Sequence, residues 1–256
     1  MLKSKKDVFY ETEKGLLLKG DVFDVIKDIE DETVDVVFAD PPYFLSNDGI
    51  SCQGGKIVSV NKGDWDKAAT LQEKHDFNLK WIKECYRVLK PNGTIWISGT
   101  FHNIYSVGMA LEENGFKILN NITWEKTNPP PNLACKCFTH STETIIWAKK
   151  KDGKPVFNYA LMKEQNGGKQ MKDVWQGSLT KKSEKSCGKH PTQKPLYLLD
   201  RIIEASTEEG FVVLDPFIGS GTTAVSAQNH NCYYIGIDMD EEYLKIAKRR
   251  LEECQK

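Results

Sequence analysis

Val34-Asp35-Val36-Val37-Phe38-Ala39-Asp40-Pro41-Pro42-Tyr43 is the stretch on which the fold turns. Apart from Asp35, residues 34 to 39 are apolar and partly β-branched, the composition of a strand covered on both faces. Two prolines then end it. Each lacks an N–H, has φ fixed near about −65°, and keeps the residue before it extended. The Asp40 carboxylate and the Pro41 carbonyl are therefore expected at the carboxyl end of a buried strand, where open α/β sheets bind their ligands. Pro42 stiffens the turn, and Tyr43 follows as a flat face. Two acceptors held this way can take both N–H groups of an exocyclic amine and free its delocalised lone pair. A ring beside them can stack on a base turned out of a duplex. A Pro-Pro turn with an incidental Asp and Tyr is the alternative, and the remaining sequence has to decide between the two.

The chain has 256 residues, enough for one large α/β domain with a sizeable core. Hydrophobic residues make up 39% and charged residues 28%, as in an ordinary globule, and no apolar run approaches a membrane span. The opening Met1-Leu2-Lys3-Ser4-Lys5-Lys6-Asp7 has no apolar stretch behind its charges and does not read as a secretory signal. Seven scattered cysteines, an odd number, fit reduced thiols in a cytoplasm. Net charge is −1, so any affinity for a polyanion has to come from a local patch.

Apolar spacing predicts strands over 16–20, 34–39, 94–98, 116–124, 143–148, 211–215 and 233–238, with helices over 22–29, 77–89, 104–113, 195–205, 222–228 and 240–253. Residues 44 to 65 lack periodicity and read as a long functional loop. About seven strands alternating with helices predict a doubly wound, mostly parallel α/β sheet. A single domain over 1–256 is expected, with 149–190 as an inserted basic segment.

A second signal lies in Phe211-Val212-Val213-Leu214-Asp215-Pro216-Phe217-Ile218-Gly219-Ser220-Gly221-Thr222-Thr223, a strand, a glycine turn and a helix start. Glycines let a ligand approach the backbone, and a helix N-terminus offers unpaired N–H groups. The next strand ends in Asp238, an acidic residue placed to take ribose hydroxyls. The Gly-Ser-Gly spacing is not the dinucleotide fingerprint, and no lysine follows as a phosphate loop requires. Asp215 repels a pyrophosphate but suits an ammonium or sulfonium charge. A tight turn with no ligand is the plain alternative.

Asp40-Pro41-Pro42-Tyr43 early and Asp215-Pro216-Phe217-Ile218-Gly219-Ser220-Gly221-Thr222 late resemble the catalytic and S-adenosylmethionine motifs of amino-group DNA methyltransferases, in the order of their β class. His190-Pro191-Thr192-Gln193-Lys194-Pro195 is similar to that class's other cofactor-side motif, and Pro131-Asn132-Leu133 through Phe138-Thr139-His140 and Glu143 to another shared block. Together these blocks span nearly the whole chain. The resemblance implies the S-adenosylmethionine-dependent methyltransferase fold and a DNA partner with a flipped adenine. It implies that Asp40, Pro41 and Tyr43 hold the target amine and base. Asp215, Phe217, Gly219, Ser220, Gly221 and Thr222 are implied to line the methionine side of the cofactor. Asp238 is implied to hold the ribose, Asp21 the adenine amine, and Thr192 and Lys194 the far side of the cofactor. Asp21 reads equally as the N-cap of the helix it precedes.

An initial Asp in the tetrad resembles adenine-N6 enzymes more than cytosine-N4 ones, and protein- or RNA-directed relatives more usually carry Asn there. The stretch Phe44-Leu45-Ser46-Asn47 through Lys62-Gly63-Asp64-Trp65-Asp66, with His102-Asn103-Ile104-Tyr105, further resembles the GATC-modifying methylases of DpnII-type restriction–modification systems. A homodimer is among the arrangements this resemblance allows.

Eleven lysines stand against four carboxylates between Lys149 and His190, a charge of +7 that leaves about −8 on the remainder. One basic segment in a near-neutral chain fits a DNA-facing lobe whose lysines contact phosphates. Asn158, Tyr159, Gln165, Asn166, Gln170 and Trp175 are its candidate base readers. Cys135-Lys136-Cys137 with His140 lacks a second ligand pair at zinc spacing, so no metal is expected.

Overall fold

The computed structural model describes residues 2–44, 50–53, 56–59 and 70–253; for the two short strands at 50–53 and 56–59 it describes the backbone alone. Expectations placed on 45–47 and 62–66 lie outside the described residues. In chain order, β1 (Val8–Thr12) and β2 (Gly15–Lys19) are followed by α1 (Val22–Val25), which continues as a 3-10 turn over Ile26–Asp28, and by β3 (Val34–Ala39). Next come β4 (Ile50–Gln53), β5 (Lys56–Ser59), α2 (Leu71–Val88), β6 (Leu89–Gly99), α3 (Ile104–Glu113), β7 (Phe116–Lys126) and β8 (Thr142–Lys150). The last part holds α4 (Tyr159–Gln165), β9 (Val174–Gly177), α5 (Leu196–Ser206), β10 (Val212–Asp215), α6 (Thr222–Asn229), β11 (Tyr233–Asp238) and α7 (Glu241–Glu253).

Nine strands form one sheet in the order β1-β2-β11-β10-β3-β6-β8-β7-β9, and β4 and β5 make a separate antiparallel ribbon. The centre β2-β11-β10-β3-β6 is parallel throughout. Antiparallel pairing enters at β1-β2 and on both sides of β8.

Both faces are covered. On one, Trp81, Ile82 and Cys85 of α2 and Val107 and Leu111 of α3 pack on Val34, Val37, Ile95, Ile97 and Leu214. On the other, Leu198, Leu199 and Ile202 of α5, Ala224 of α6 and Leu244 of α7 pack on Val36, Phe38, Trp96, Val213 and Tyr234. Within β3, Val34 and Val37 join the cluster on one face, and Val36 and Phe38 the cluster on the other. No helix among the described residues is long and apolar enough to cross a membrane.

Two strands beyond the expected seven sit at the sheet's edges, where β1 is half exposed and β9 is four residues long. Too little alternation survives in either to stand out. The stretch 44–65 is likewise not all loop, since it contains the β4–β5 ribbon. Helix α2 starts at Leu71 rather than Phe77 because Thr70 and Glu73 form a capping box that carries a polar first turn.

Asp35, the one charge inside β3, has a structural task. Its Oδ2 accepts the Val212 N–H at 2.9 Å and the Lys90 ammonium at 2.8 Å, tying the amino end of β10 to β3. Asp35→Ala leaves the buried Val212 N–H unpaired, and urea unfolding is expected to show a loss of about 1–3 kcal/mol. Because Asp35 is at the opposite end of β3 from Asp40, the folded fraction should keep its activity per molecule.

Candidate active site

β3 and β10 are neighbours, and their following helices, α2 and α6, cover opposite faces of the sheet. The two chain exits diverge and leave a crevice between the strand ends, the switch point where such sheets take ligands. Asp40 follows β3 and Asp215 closes β10, so the two turns singled out in sequence meet in one cleft. Asp40, Thr192, Lys194, Asp215, Phe217, Gly219, Ser220 and Thr222 all line it, with His190 beside them.

The wall on the β10 side is rigid. Asp215 accepts the Phe217 N–H at 2.9 Å and the Thr223 hydroxyl at 2.6 Å, and it is 3% exposed. Burial pushes its carboxyl up to about 7 against those hydrogen bonds, and the Asp40 charge adds to the rise. Gly219 at φ +48° and Gly221 at φ +82° bend the backbone into the left-handed region. Phe217 is fixed edge-on against Trp81 of α2, with ring centroids 5.4 Å apart.

Arg250 of α7, which sequence reading passed over, clamps the turn from behind. Its guanidinium reaches the Ser220 carbonyl at 2.8 Å and the Thr222 hydroxyl at 2.9 Å. Only its position on a buried helix face hinted at it.

Asp238 closes β11. One of its oxygens accepts the Gly219 N–H at 2.8 Å and the other the Asp240 N–H at 2.8 Å. Burial pushes it up to about 6. Asp21 caps α1 through Phe23 N–H at 2.8 Å, and Gly20 N–H reaches the Asp238 carbonyl, so Asp21 lies at the same sheet edge without lining the cleft. His190 packs under Gly219, where burial and the nearby Lys194 charge hold its imidazole down at about 4 and neutral at pH 7.

On the β3 side the geometry departs from expectation. Tyr43 is not a free flat face: it is 7% exposed, and its hydroxyl donates to Asp40 Oδ1 at 2.5 Å and meets Ser98 Oγ at 2.9 Å. Burial, with the charges of Asp40 and Glu143, holds this phenol well above its ordinary range and therefore protonated. Lys194 donates to Asp40 Oδ2 at 2.5 Å and to the Tyr43 oxygen at 3.1 Å, so its ammonium sits on the acidic turn itself. Proline rigidity set the backbone correctly but could not reveal a partner 154 positions away. Asn103 supports the turn by donating to the Pro42 carbonyl at 3.4 Å. Pro41 is buried beside it.

The basic segment is less uniform than its charge suggests. Lys150 is buried and donates to the Leu89 carbonyl at 2.5 Å. Trp175 is 6% exposed, packed near Trp96 and under Arg201, so it is core and not a base reader. Asn158 donates to the Glu204 and Thr207 carbonyls, anchoring α4 to α5. Asn166 bonds the backbone of its own turn, and Gln165 donates to Glu204. Tyr159 and Gln170 remain exposed, as do Lys163, Lys169 and Lys172.

Against this geometry, a family model described as DNA methylase, for N6 and N4 enzymes, matches residues 34–249. The chain belongs to the N6/N4 DNA methylase family. It is 65% identical over 245 residues to the Type II methyltransferase M2.LlaDCHI of Lactococcus lactis subsp. cremoris, covering 95% of this chain and 91% of that protein. It is 64% identical to M2.DpnII of Streptococcus pneumoniae, covering 95% and 92% respectively. Among solved structures, the M1.HpyAVI–SAM complex superposes with a TM-score of 0.70 at 30% identity, over 93% of this chain and 98% of that one. The cytosine-N4-specific PvuII DNA methyltransferase superposes at 0.76 but 20% identity, over 98% and 93% of the two chains, which shows the shared fold alone.

A methyl group added at Gly221 would lie 2.6 Å from Ala247 Cβ and 2.9 Å from its Cα. At Gly168, also at positive φ, nothing lies within 4 Å. Gly221→Ala should therefore lower the midpoint of thermal unfolding by several degrees more than Gly168→Ala, whose cost is about 1 kcal/mol of backbone strain alone.

Proposed function

We propose that this DNA methylase transfers a methyl group from S-adenosylmethionine to the exocyclic N6 amine of adenine, within GATC, as the modification activity of a restriction–modification system. The observation that carries the reading is the shared cleft, in which a buried carboxylate beside a glycine turn faces an acidic turn at the neighbouring strand end. The Asp at the head of the tetrad and the identity with M2.DpnII support adenine and GATC as the target.

The residues fit the cofactor. Asp215 is buried without a cationic partner in its own hydrogen-bond set, which favours a cationic ligand over an anionic one. Gly219 leaves no side chain to crowd His190 at the cradle wall, Gly221 lets α7 close in behind the turn at Ala247, and the start of α6 presents its N–H groups there. In this reading Asp215, Phe217, Gly219, Ser220, Gly221 and Thr222 hold the methionine side, Asp238 the ribose and Asp21 the adenine. When bound, S-adenosylmethionine supplies an electrophilic methyl on a sulfonium.

The chain's own residues do the aiming. Asp40 and the Pro41 carbonyl accept the two N–H bonds of the target amine and orient its lone pair, while Tyr43 fixes the Asp40 carboxylate from below and Pro42 borders the extruded base. Catalysis is then mostly positioning. The single unit over 1–256 carries both chemistries, and the exposed lysines of 149–190 serve target recognition by holding phosphates.

Asp40→Ala should abolish methyl transfer while leaving cofactor affinity near native by calorimetry; joint loss of binding and folding would make Asp40 structural instead. Digesting the product DNA to nucleosides should give N6-methyladenine, and N4-methylcytosine would overturn the target assignment. Replacing Lys163, Lys169 and Lys172 with Ala should flatten the slope of log affinity against log salt by about one for each phosphate no longer held.

Cofactor binding should also depend on pH. The cation needs Asp215 ionised, and its folded carboxyl is raised to about 7. Affinity should therefore rise as pH increases through about 7, with Asp238 adding a lower step near 6. Thr223→Val removes a hydrogen bond to the carboxylate and should move the upper step to higher pH.

A further inference from the structure

Glu143, at the start of β8, is caught between two ammonium groups. Lys126 lies 2.7 Å from its Oε1 and Lys194 lies 3.5 Å from its Oε2, with the Tyr43 hydroxyl at 3.4 Å. Its side chain is 12% exposed and that of Lys194 is 7% exposed. Asp40, Glu143, Lys126 and Lys194 thus form a neutral set of two carboxylates and two ammoniums, mostly removed from water. Burial alone would raise the Glu143 carboxyl, but Lys194 and Lys126 outweigh it and hold the group ionised.

This arrangement poses a problem for amine binding at Asp40, the reading on which the inference rests. Both Asp40 oxygens are engaged, one by Tyr43 and one by Lys194. Each oxygen keeps a second lone pair, but an amine docking on Oδ2 shares that oxygen with the Lys194 ammonium, so full use of the carboxylate requires Lys194 to withdraw. A buried ammonium stripped of its carboxylate costs several kcal/mol unless another anion receives it. Glu143 is already within reach, and a shift of about 1 Å brings Lys194 from 3.5 Å to ordinary ion-pair distance.

We propose that Glu143 is a positioning residue that takes Lys194 over from Asp40 as the target amine arrives, so that the Asp40 carboxylate is freed without leaving a buried charge unpaired. Lys194 is held for this exchange from both ends. Its carbonyl accepts the Thr222 hydroxyl at 3.2 Å, which links it to the start of α6, and its ammonium spans the two carboxylates. Without Glu143, Lys194 stays clamped on Asp40 and competes with the substrate.

The test compares Glu143→Gln with the double variant Glu143→Gln/Lys194→Met, using native protein as reference and a GATC oligonucleotide as substrate. Glu143→Gln should keep its cofactor affinity but lose roughly ten- to a hundred-fold in kcat, the rate equivalent of one misdirected charge-assisted hydrogen bond. Removing the competing cation should then make the double variant faster than Glu143→Gln alone. A merely structural Glu143 gives the opposite order, because a second buried group is lost. Native kcat in Glu143→Gln, or a double variant no faster than it, overturns the proposal.

Should Glu143→Gln fail to fold, a crystal structure of the native chain with DNA and a non-transferring cofactor analogue decides. Lys194 on Glu143 with Asp40 on the amine supports the exchange, and Lys194 still on Asp40 overturns it. Asp40→Ala run alongside separates the two readings. If that variant methylates, the role of Asp40 falls; if it is dead while Glu143→Gln is normal, only the exchange does.

Discussion

Two parallel strands lying side by side deliver two carboxylates, Asp40 and Asp215, into one poorly hydrated cleft. Burial disfavours the charged form of Asp215, and the Asp40 charge adds to that. Much of what surrounds them relieves that conflict. On the Asp215 side, Thr223 and the Phe217 N–H stabilise the anion only in part, which leaves an appetite for a cation. On the Asp40 side, Lys194 meets it outright, and Glu143 and Lys126 balance Lys194 in turn.

That electrostatic frame explains why the site's rigidity is distributed. The prolines fix Asp40 through the backbone, and Asn103 holds the Pro42 carbonyl. Arg250 fixes the glycine turn from α7, and α2 holds Phe217 through Trp81. Support for the two walls therefore comes from helices on both faces of the sheet.

The parts of this picture legible in sequence are those written locally. An apolar β-branched run stopped by two prolines, and a strand running into Gly-Ser-Gly before a helix, each announce themselves within about a dozen residues. Their meeting in one cleft followed from α/β architecture. What sequence hid was pairing over long separations. Lys194 read as a cofactor contact and Tyr43 as a stacking face, yet both are bound to Asp40. Trp175 and Asn158 read as base readers within a polar stretch, yet one fills the core and the other pins α4 to α5. A residue's type and charge state what it can bond with, not which partner the topology will supply. The edge strands β1 and β9 escaped because they are short, five and four residues, and bury too little for an alternation to show.

If the glycine turn and the Asp-Pro-Pro-Tyr turn serve one reaction across the β3–β10 crevice, a crystal structure of the chain with S-adenosylmethionine will show the ribose against Asp238, the methionine end against the Gly219–Gly221 turn, and the sulfonium methyl directed at the Asp40 carboxylate. A cofactor bound elsewhere, or with its methyl turned away from Asp40, would contradict it.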